Sequence, residues 1–244
     1  MSTNLDVTIL AYHFWNKDRY AQEFAKISHA FLESWKYCGN QKSVLVVNKV
    51  EKCVEDFASL HNNLSIQIEP RLIPGKIFSL SDDCNSRLST RFDTPYVLTI
   101  QNDGWPLRSG LNEFIGKWDF IGAPHIRDKW WLKIASQLMN FHPMNGGFSL
   151  RSHECCELVS FWWNKKYHQM GDCLSSSEDI FATQFLPKAE SSYRKKMKFP
   201  RVSDAIKFSY QMMEPYQRDV LPFGFHNINS LNELTRCGLI KMRK

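Results

Sequence analysis

What the sequence lacks narrows the reading first. No C-x-x-C pair occurs, and the seven cysteines are irregularly spaced, with Cys155 and Cys156 adjacent. That argues against a structural zinc site and fits reduced thiols in a cytosolic protein. No window approaches 18 uninterrupted apolar residues, so no transmembrane helix is expected and any membrane contact would be peripheral. The first residues, Met1 to Asp6, show no basic start before a long apolar run, so a signal peptide is not expected. No G-x-G-x-x-G follows the first apolar run, and no G-x-x-x-x-G-K-[ST] occurs. A dinucleotide fold and a P-loop NTPase are therefore disfavoured. Internal repeats, low-complexity tracts and Gly/Ser linkers are missing too, so a single domain over residues 1–244 is expected.

Charge of one sign is in modest excess. Lys and Arg number 31 against 25 acids, a formal net charge of +6. This favours anionic partners such as nucleotide phosphates or phospholipid headgroups, but is too small to argue for a nucleic-acid binder. Much of it sits in Arg194, Lys195, Lys196, Lys198 and Arg201 and in the tail Lys241, Arg243 and Lys244. Runs of this kind are usually solvated faces. Aromatics reach 14%, with eight Trp. Such a surplus fills a core and also suits a cleft that stacks sugars or bases.

The hydrophobic pattern predicts an α/β chain. Val7–Tyr12, Ser43–Asn48 and Leu64–Ile68 read as strands. A helix over about 20–37 places Phe24, Ile27, Phe31 and Trp35 on one stripe and ends at Gly39. A short helix carries Val54, Phe57, Ala58 and Leu60. Strand-helix-strand-helix-strand opens a nucleotide-binding half, a Rossmann-like, mainly parallel sheet flanked by helices. A further helix is expected over 79–92, then a buried strand from Tyr96 and short strands at 118–124 and 145–152. The helix from Cys155 to Trp163 should turn Leu158, Phe161 and Trp162 inward. The Trp-, Phe- and Met-rich stretch 127–142 reads either as a loop over a site or as surface with buried anchors.

Four features point to chemistry. The strand Tyr96–Ile100 breaks into Gln101-Asn102-Asp103-Gly104, which either caps a turn or delivers a carboxylate to the crevice outside the strand end. Asn145-Gly146-Gly147 leads into a strand, as a plain turn or as a place of close backbone approach. Ser175-Ser176-Ser177-Glu178-Asp179 is a helix start, whose acids either only cap or also react. Pro222-Phe223-Gly224-Phe225-His226 is a rigid aromatic turn whose His is structural or a ligand. Tyr12 and His13, at the end of the first strand, are candidate nucleotide contacts by topology alone.

In this order the chain resembles the GT-A glycosyltransferases, and most closely a family of poorly characterised bacterial and viral proteins related to them. The resemblance runs over roughly residues 5–230. It is carried by the Gln101–Asp103 segment, Asp119-Phe120-Ile121-Gly122-Ala123-Pro124, Asn145–Ser152, Glu178-Asp179 and Pro222–His226. It implies that Gln101, Asn102 and Asp103 occupy the place of an Asp-x-Asp motif, with Gln where the first acid belongs. Asp103 and His226 would then hold Mn²⁺ or Mg²⁺ against the diphosphate of a nucleotide sugar. Asn145, Gly146 and Gly147 would face donor and acceptor, and Asp179, or else Glu178, would be the base. The acceptor expected is a surface glycan of the lipopolysaccharide or capsule type, or its lipid-linked precursor, met by a cytoplasmic protein peripheral to the inner membrane face. Glycosylation of modified viral DNA bases, or an inactive nucleotide-sugar-binding module, are the alternatives. A nucleotidyltransferase ranks below these, because His13–Lys17 holds no Gly.

Overall fold

In the computed structural model the described residues are 6–14, 18–74, 76–124, 144–167, 178–185, 197–211 and 219–240. The stretch 127–142 and Ser175–Ser177 lie outside them. Six strands form one sheet: β1 (Val7–His13), β2 (Ser43–Val47), β3 (Leu64–Ile68), β4 (Tyr96–Ile100), β5 (Phe120–Pro124) and β6 (Met144–Ser152). Their order is β3-β2-β1-β4-β6-β5. β1 pairs in parallel with β2 and β4, and β2 with β3. β6 runs antiparallel to β4 and to β5. The mixed, mainly parallel α/β architecture expected from the sequence is the one observed. Every residue of β2 and β5 is buried. Continuous apolar runs are what strands covered on both faces require. β3 is an edge, and its Ile68 is 59% exposed.

Helices cover the sheet. α1 (Tyr20–Cys38) buries Phe24, Ile27, Ala30 and Phe31, and Trp35 Nε1 donates to Ser43 Oγ at 2.8 Å. Gly39 ends it at φ 80°, in the left-handed region that favours glycine. α2 (Lys52–Ser59) turns Val54 inward, whereas Leu60 is 77% exposed beyond the helix end. α3 (Ile77–Arg87) runs into a 3₁₀ turn, Leu88–Thr90, before β4. α4 (His153–Trp162) starts at Ser152, whose Oγ accepts from Cys155 N. Its inner face is Cys155, Cys156, Val159 and Trp162, and Phe161, expected inside, is 52% exposed. Cysteine behaves as a small apolar residue, so the two thiols take the inner positions and rotate the stripe. Burial pushes the Cys156 thiol up to about 12 and the Cys155 thiol up as well. Glu178–Ile180 (α5), Val202–Phe208 (α6) and Ile228–Arg236 (α7) complete the α-helices among the described residues. No described helix is long and apolar enough to cross a membrane.

A buried ion network fixes the floor under β1. Glu69, just past β3, and Asp83, on α3, are 4% and 2% exposed. Arg91 Nη2 bonds both, at 2.9 Å from Glu69 Oε2. Arg71 and Arg87 also reach Glu69. Hydrogen bonds from Arg71, then Arg91, hold the Glu69 carboxyl at about 2 against the opposing effect of burial. Tyr12 Oη donates to Asp83 Oδ2 at 2.9 Å, which ties the network to the end of β1.

Candidate active site

β4 ends in a tight turn. Gln101 N donates to Gly104 O at 3.1 Å and Gly104 N to Gln101 O at 3.2 Å, which puts Asn102 and Asp103 at the tip. The backbone closes this turn, and the Asp103 side chain points instead to His226, with Oδ1 3.6 Å from Nε2. His226 arrives on β8 (Gly224–Phe225), which pairs with β7 (Ser209–Tyr210). Leu107 N donates to Phe223 O, His226 N to Tyr210 O and Asn227 N to Asp103 O. Two glycines permit this docking. A Cβ on Gly224 would stand 2.2 Å from the Phe148 ring, and one on Gly104 3.0 Å from Phe225 O. Trp105 then packs edge-on against Phe225 at 4.7 Å.

The glycine pair lies inside β6 and serves close approach rather than a turn. A Cβ on Gly147 would be 2.4 Å from both Gln101 Oε1 and His226 Nε2. One on Gly146 would meet Arg151 Nη2 at 2.5 Å and Glu178 Oε1 at 2.6 Å. Only hydrogen fits between these polar groups. Asn145 Oδ1 accepts from Gly147 N at 2.7 Å. Thr99 and Ser149 pair their hydroxyls at 2.8 Å across β4 and β6.

Glu178 and Asp179 open α5, 9% and 8% exposed. Arg151 lies beside them. Its Nε donates to Ser149 Oγ at 3.0 Å, its Nη2 donates to Gly146 O at 3.1 Å, and Nη2 is 3.9 Å from Glu178 Oε1. Burial, then the Asp179 charge, raises the Glu178 carboxyl above its ordinary value, while Arg151 pulls it down. A buried carboxyl biased toward holding a proton, next to a second acid, suits proton transfer.

These pieces line one cleft of about 500 Å³. Tyr12, Phe14, Ile27, Leu80, Cys84 and Ile100 form its apolar side. Gln101, Asn102, Asn145, Gly146, Gly147, Arg151, Glu178 and Asp179 form its polar side. Asp103 and His226 flank it, next to Gln101 and Gly147. His13 is not part of it. Strand alternation sends Tyr12 to the cleft and His13 to the opposite face, fully buried with its ring 4.2 Å from Tyr20 and 5.3 Å from Phe24. Burial lowers the His13 imidazole to about 4, as for a neutral core histidine.

Sequence reasoning gave no role to Arg151 or Glu23. Arg151 was signalled by period-two alternation, since Asn145, Ser149 and Arg151 are the polar members of one β6 face. Glu23, on α1, accepts from Asn102 Nδ2 at 2.7 Å and so pins the turn. It sits on the buried side of α1, where an acid without a partner would be costly. Asp119 proves structural, with Ser152 Oγ and Lys198 N bonded to its carboxylate.

Among the described residues no three of His, Cys, Asp and Glu gather around one point. Asp103 and His226 with Gln101 Oε1, 3.0 Å from His226 Nε2, still place a carboxylate, an imidazole and an amide oxygen at the edge of the cleft. That hard O/N set fits Mn²⁺ or Mg²⁺ when the ligand completes the shell.

Several solved structures are similar to the chain. The apo glycosyltransferase GlyE of Streptococcus pneumoniae TIGR4 is 11% identical over 90% of this chain and 53% of its own, with a TM-score of 0.49. A second GlyE structure gives 10% over 90% and 53%, with a TM-score of 0.45. The mannosyltransferase PcManGT of Pyrobaculum calidifontis, in complex with GDP-Man and Mn²⁺, is 10% identical over 62% of this chain and 46% of its own, with a TM-score of 0.36. The chain spans about half the length of each. No curated protein matches the sequence. Residues 83–226, more than half of the chain, match the family described as "Protein of unknown function (DUF5672)", and the chain belongs to that family.

Proposed function

We propose that the protein transfers a sugar from a nucleotide-sugar donor to an acceptor hydroxyl, with Mn²⁺ or Mg²⁺ as cofactor. One observation carries the reading: the turn after β4, the paired glycines of β6 and the buried acids of α5 converge on one cleft outside the C-terminal end of a parallel strand. Asp103 and His226 would hold the cation, which supplies charge neutralisation for a departing diphosphate. Gln101 and Asn102 face the donor, and Tyr12 and Phe14 offer aromatic surface to its base. Asn145, Gly146 and Gly147 let donor and acceptor approach the backbone. Asp179 takes the proton of the acceptor hydroxyl, and Glu178 is its deputy. The acceptor is a glycan or lipid-linked glycan, met at an anionic membrane face that suits the +6 charge.

A screen of nucleotide sugars with and without Mn²⁺, read by thermal shift and calorimetry, tests this. At a hundredfold excess over Kd, binding adds about 2.7 kcal/mol, or roughly 5–10 °C for a chain of this size. A metal-dependent rise with a nucleotide sugar is expected. Gln101 in place of a carboxylate favours a second reading, a binding module without turnover. Metal-independent binding with no donor hydrolysis would select it. Asp179→Asn separates the roles further. It should lower kcat by about 10²–10⁴ and leave donor Kd within about twofold. Equal losses in both would remove Asp179 as base.

A further inference from the structure

We propose that Glu23 is a positioning residue of this cleft: it holds the amino group of Asn102 and so turns the Asn102 amide oxygen toward a hydroxyl of the nucleotide sugar. The inference rests on the transferase reading and adds a residue of α1 to it. Glu23 stands in the first turn of α1, and Ile27, one turn further along the same face, lines the cleft. The Glu23 side chain is 9% exposed, and both its oxygens are engaged. Lys26 Nζ donates to Oε1 at 2.8 Å and Asn102 Nδ2 donates to Oε2 at 2.7 Å. Burial works against the charge, but the hydrogen bonds from Lys26 and Asn102 hold the Glu23 carboxyl below its ordinary value. An ionised carboxylate only accepts hydrogen bonds, so the end of the amide that faces it is Nδ2. The amide oxygen is then what Asn102, a lining residue, offers to a ligand, and an oxygen there calls for a hydroxyl or N–H rather than a phosphate.

Folding alone does not require this bond. The backbone already closes the turn, between Gln101 and Gly104 and from Asn227 N to Asp103 O. A buried acid on α1 also costs desolvation that an apolar side chain would avoid. What the carboxylate adds is a single orientation for an amide that could otherwise flip. Its charge further disfavours an acid at position 102, since two carboxylates in that contact repel.

The test is a charge swap read by calorimetric titration with UDP-glucose and GDP-mannose in Mn²⁺. It compares the parent, Asn102→Asp, Glu23→Gln and the double variant, with a thermal melt of each preparation. The parent should bind at least one of the two nucleotide sugars. Asn102→Asp should bind it at least about tenfold more weakly, because two carboxylates then face each other. Glu23→Gln should lose about threefold, because its amide can pair with either end of Asn102. The double variant sets a donor against an acceptor again at the parent's net charge, and should bind at least about fivefold tighter than Asn102→Asp. Asn102→Asp that binds like the parent, or a double variant no better than Asn102→Asp, overturns the inference and leaves the transferase reading standing. Melts that shift while Kd stays constant overturn it too, since they would make the contact purely structural. A parent silent toward both nucleotide sugars overturns inference and transferase reading together.

Discussion

Asp103→Ala is expected to lose at least about 10³ in sugar transfer and donor hydrolysis while melting within about 2 °C of the parent. The two halves of that result have separate causes. The side chain is 39% exposed and stands 3.6 Å from His226. The turn that carries it is held by backbone bonds between Gln101 and Gly104 and from Asn227 N to Asp103 O, all of which alanine retains. Truncating such a side chain costs within about 0.5 kcal/mol. Function is another matter. Asp103 is the carboxylate beside His226, and with Gln101 neutral its charge alone would compensate a divalent cation there. Loss of Lewis-acid stabilisation worth about 4 kcal/mol is a factor of about 10³. Asp103→Asn, which keeps the shape, should fall nearly as far. Donor turnover and a thermal melt on the same preparation decide it. Full activity in either variant removes the metal role, and a melt lowered by 8 °C or more would make Asp103 a structural residue.

The parts of this site that local pattern could reveal are those built by one strand or one turn. β1, β2 and β4 are continuous apolar runs, so their places in the sheet were legible, and Asp103 followed as the acid past a strand end. The inner face of α4 was misread because Phe161 looks more apolar than Cys155 or Cys156, while packing gave the thin thiols the inside. His13 was misread because topology names the loop but not which neighbour on a strand faces the cleft. Its partners Tyr20 and Phe24 come from the next helix. The pairing of His226 with Gln101 spans 125 residues. It depends on β8 docking against the Trp105 segment, and no local period encodes that. The glycine pair signalled close approach, but only three-dimensional placement shows that Gln101, His226, Arg151 and Glu178 claim the space. Least legible was the network of Glu69, Asp83 and Arg91, three isolated charges without a repeat.

That network supports the second large effect. Arg91→Leu is expected to destabilise the protein by about 3–5 kcal/mol, the usual cost of removing one partner of a buried ion pair, or roughly 6–20 °C in Tm. Arg91 is itself 10% exposed by side chain, and the carboxylates it bridges are 5% and 3%. Arg71 and Arg87 can still serve Glu69. Asp83 would keep the Tyr12 hydroxyl and an Arg71 guanidinium nitrogen at 3.8 Å, too little for a charge so deeply placed. An exposed pair gives the contrast. Lys42 and Asp93 are 52% and 71% exposed, and Lys42→Ala should leave the melt close to that of the parent. The effect of Arg91 also has a pH signature. Glu69 is held at about 2 against an ordinary 4.5, first by Arg71 and then by Arg91, so the part that Arg91 supplies is complete above pH 4.5 and is lost as pH falls through 2. The gap between parent and Arg91→Leu should therefore be widest above pH 5 and narrow toward pH 2. Arg91→Lys keeps the charge but not the fork that reaches both acids, and should fall between the two. Denaturant melts of the three proteins across that range test the account. A pH-independent gap would assign the loss to packing of the arginine stem, and a loss under 1 kcal/mol would mean that Arg71 and Arg87 suffice without Arg91. Because Asp83 also holds Tyr12, the same substitution should loosen the Tyr12 side of the cleft and, on the proposed function, weaken nucleotide-sugar binding even at temperatures where the variant stays folded.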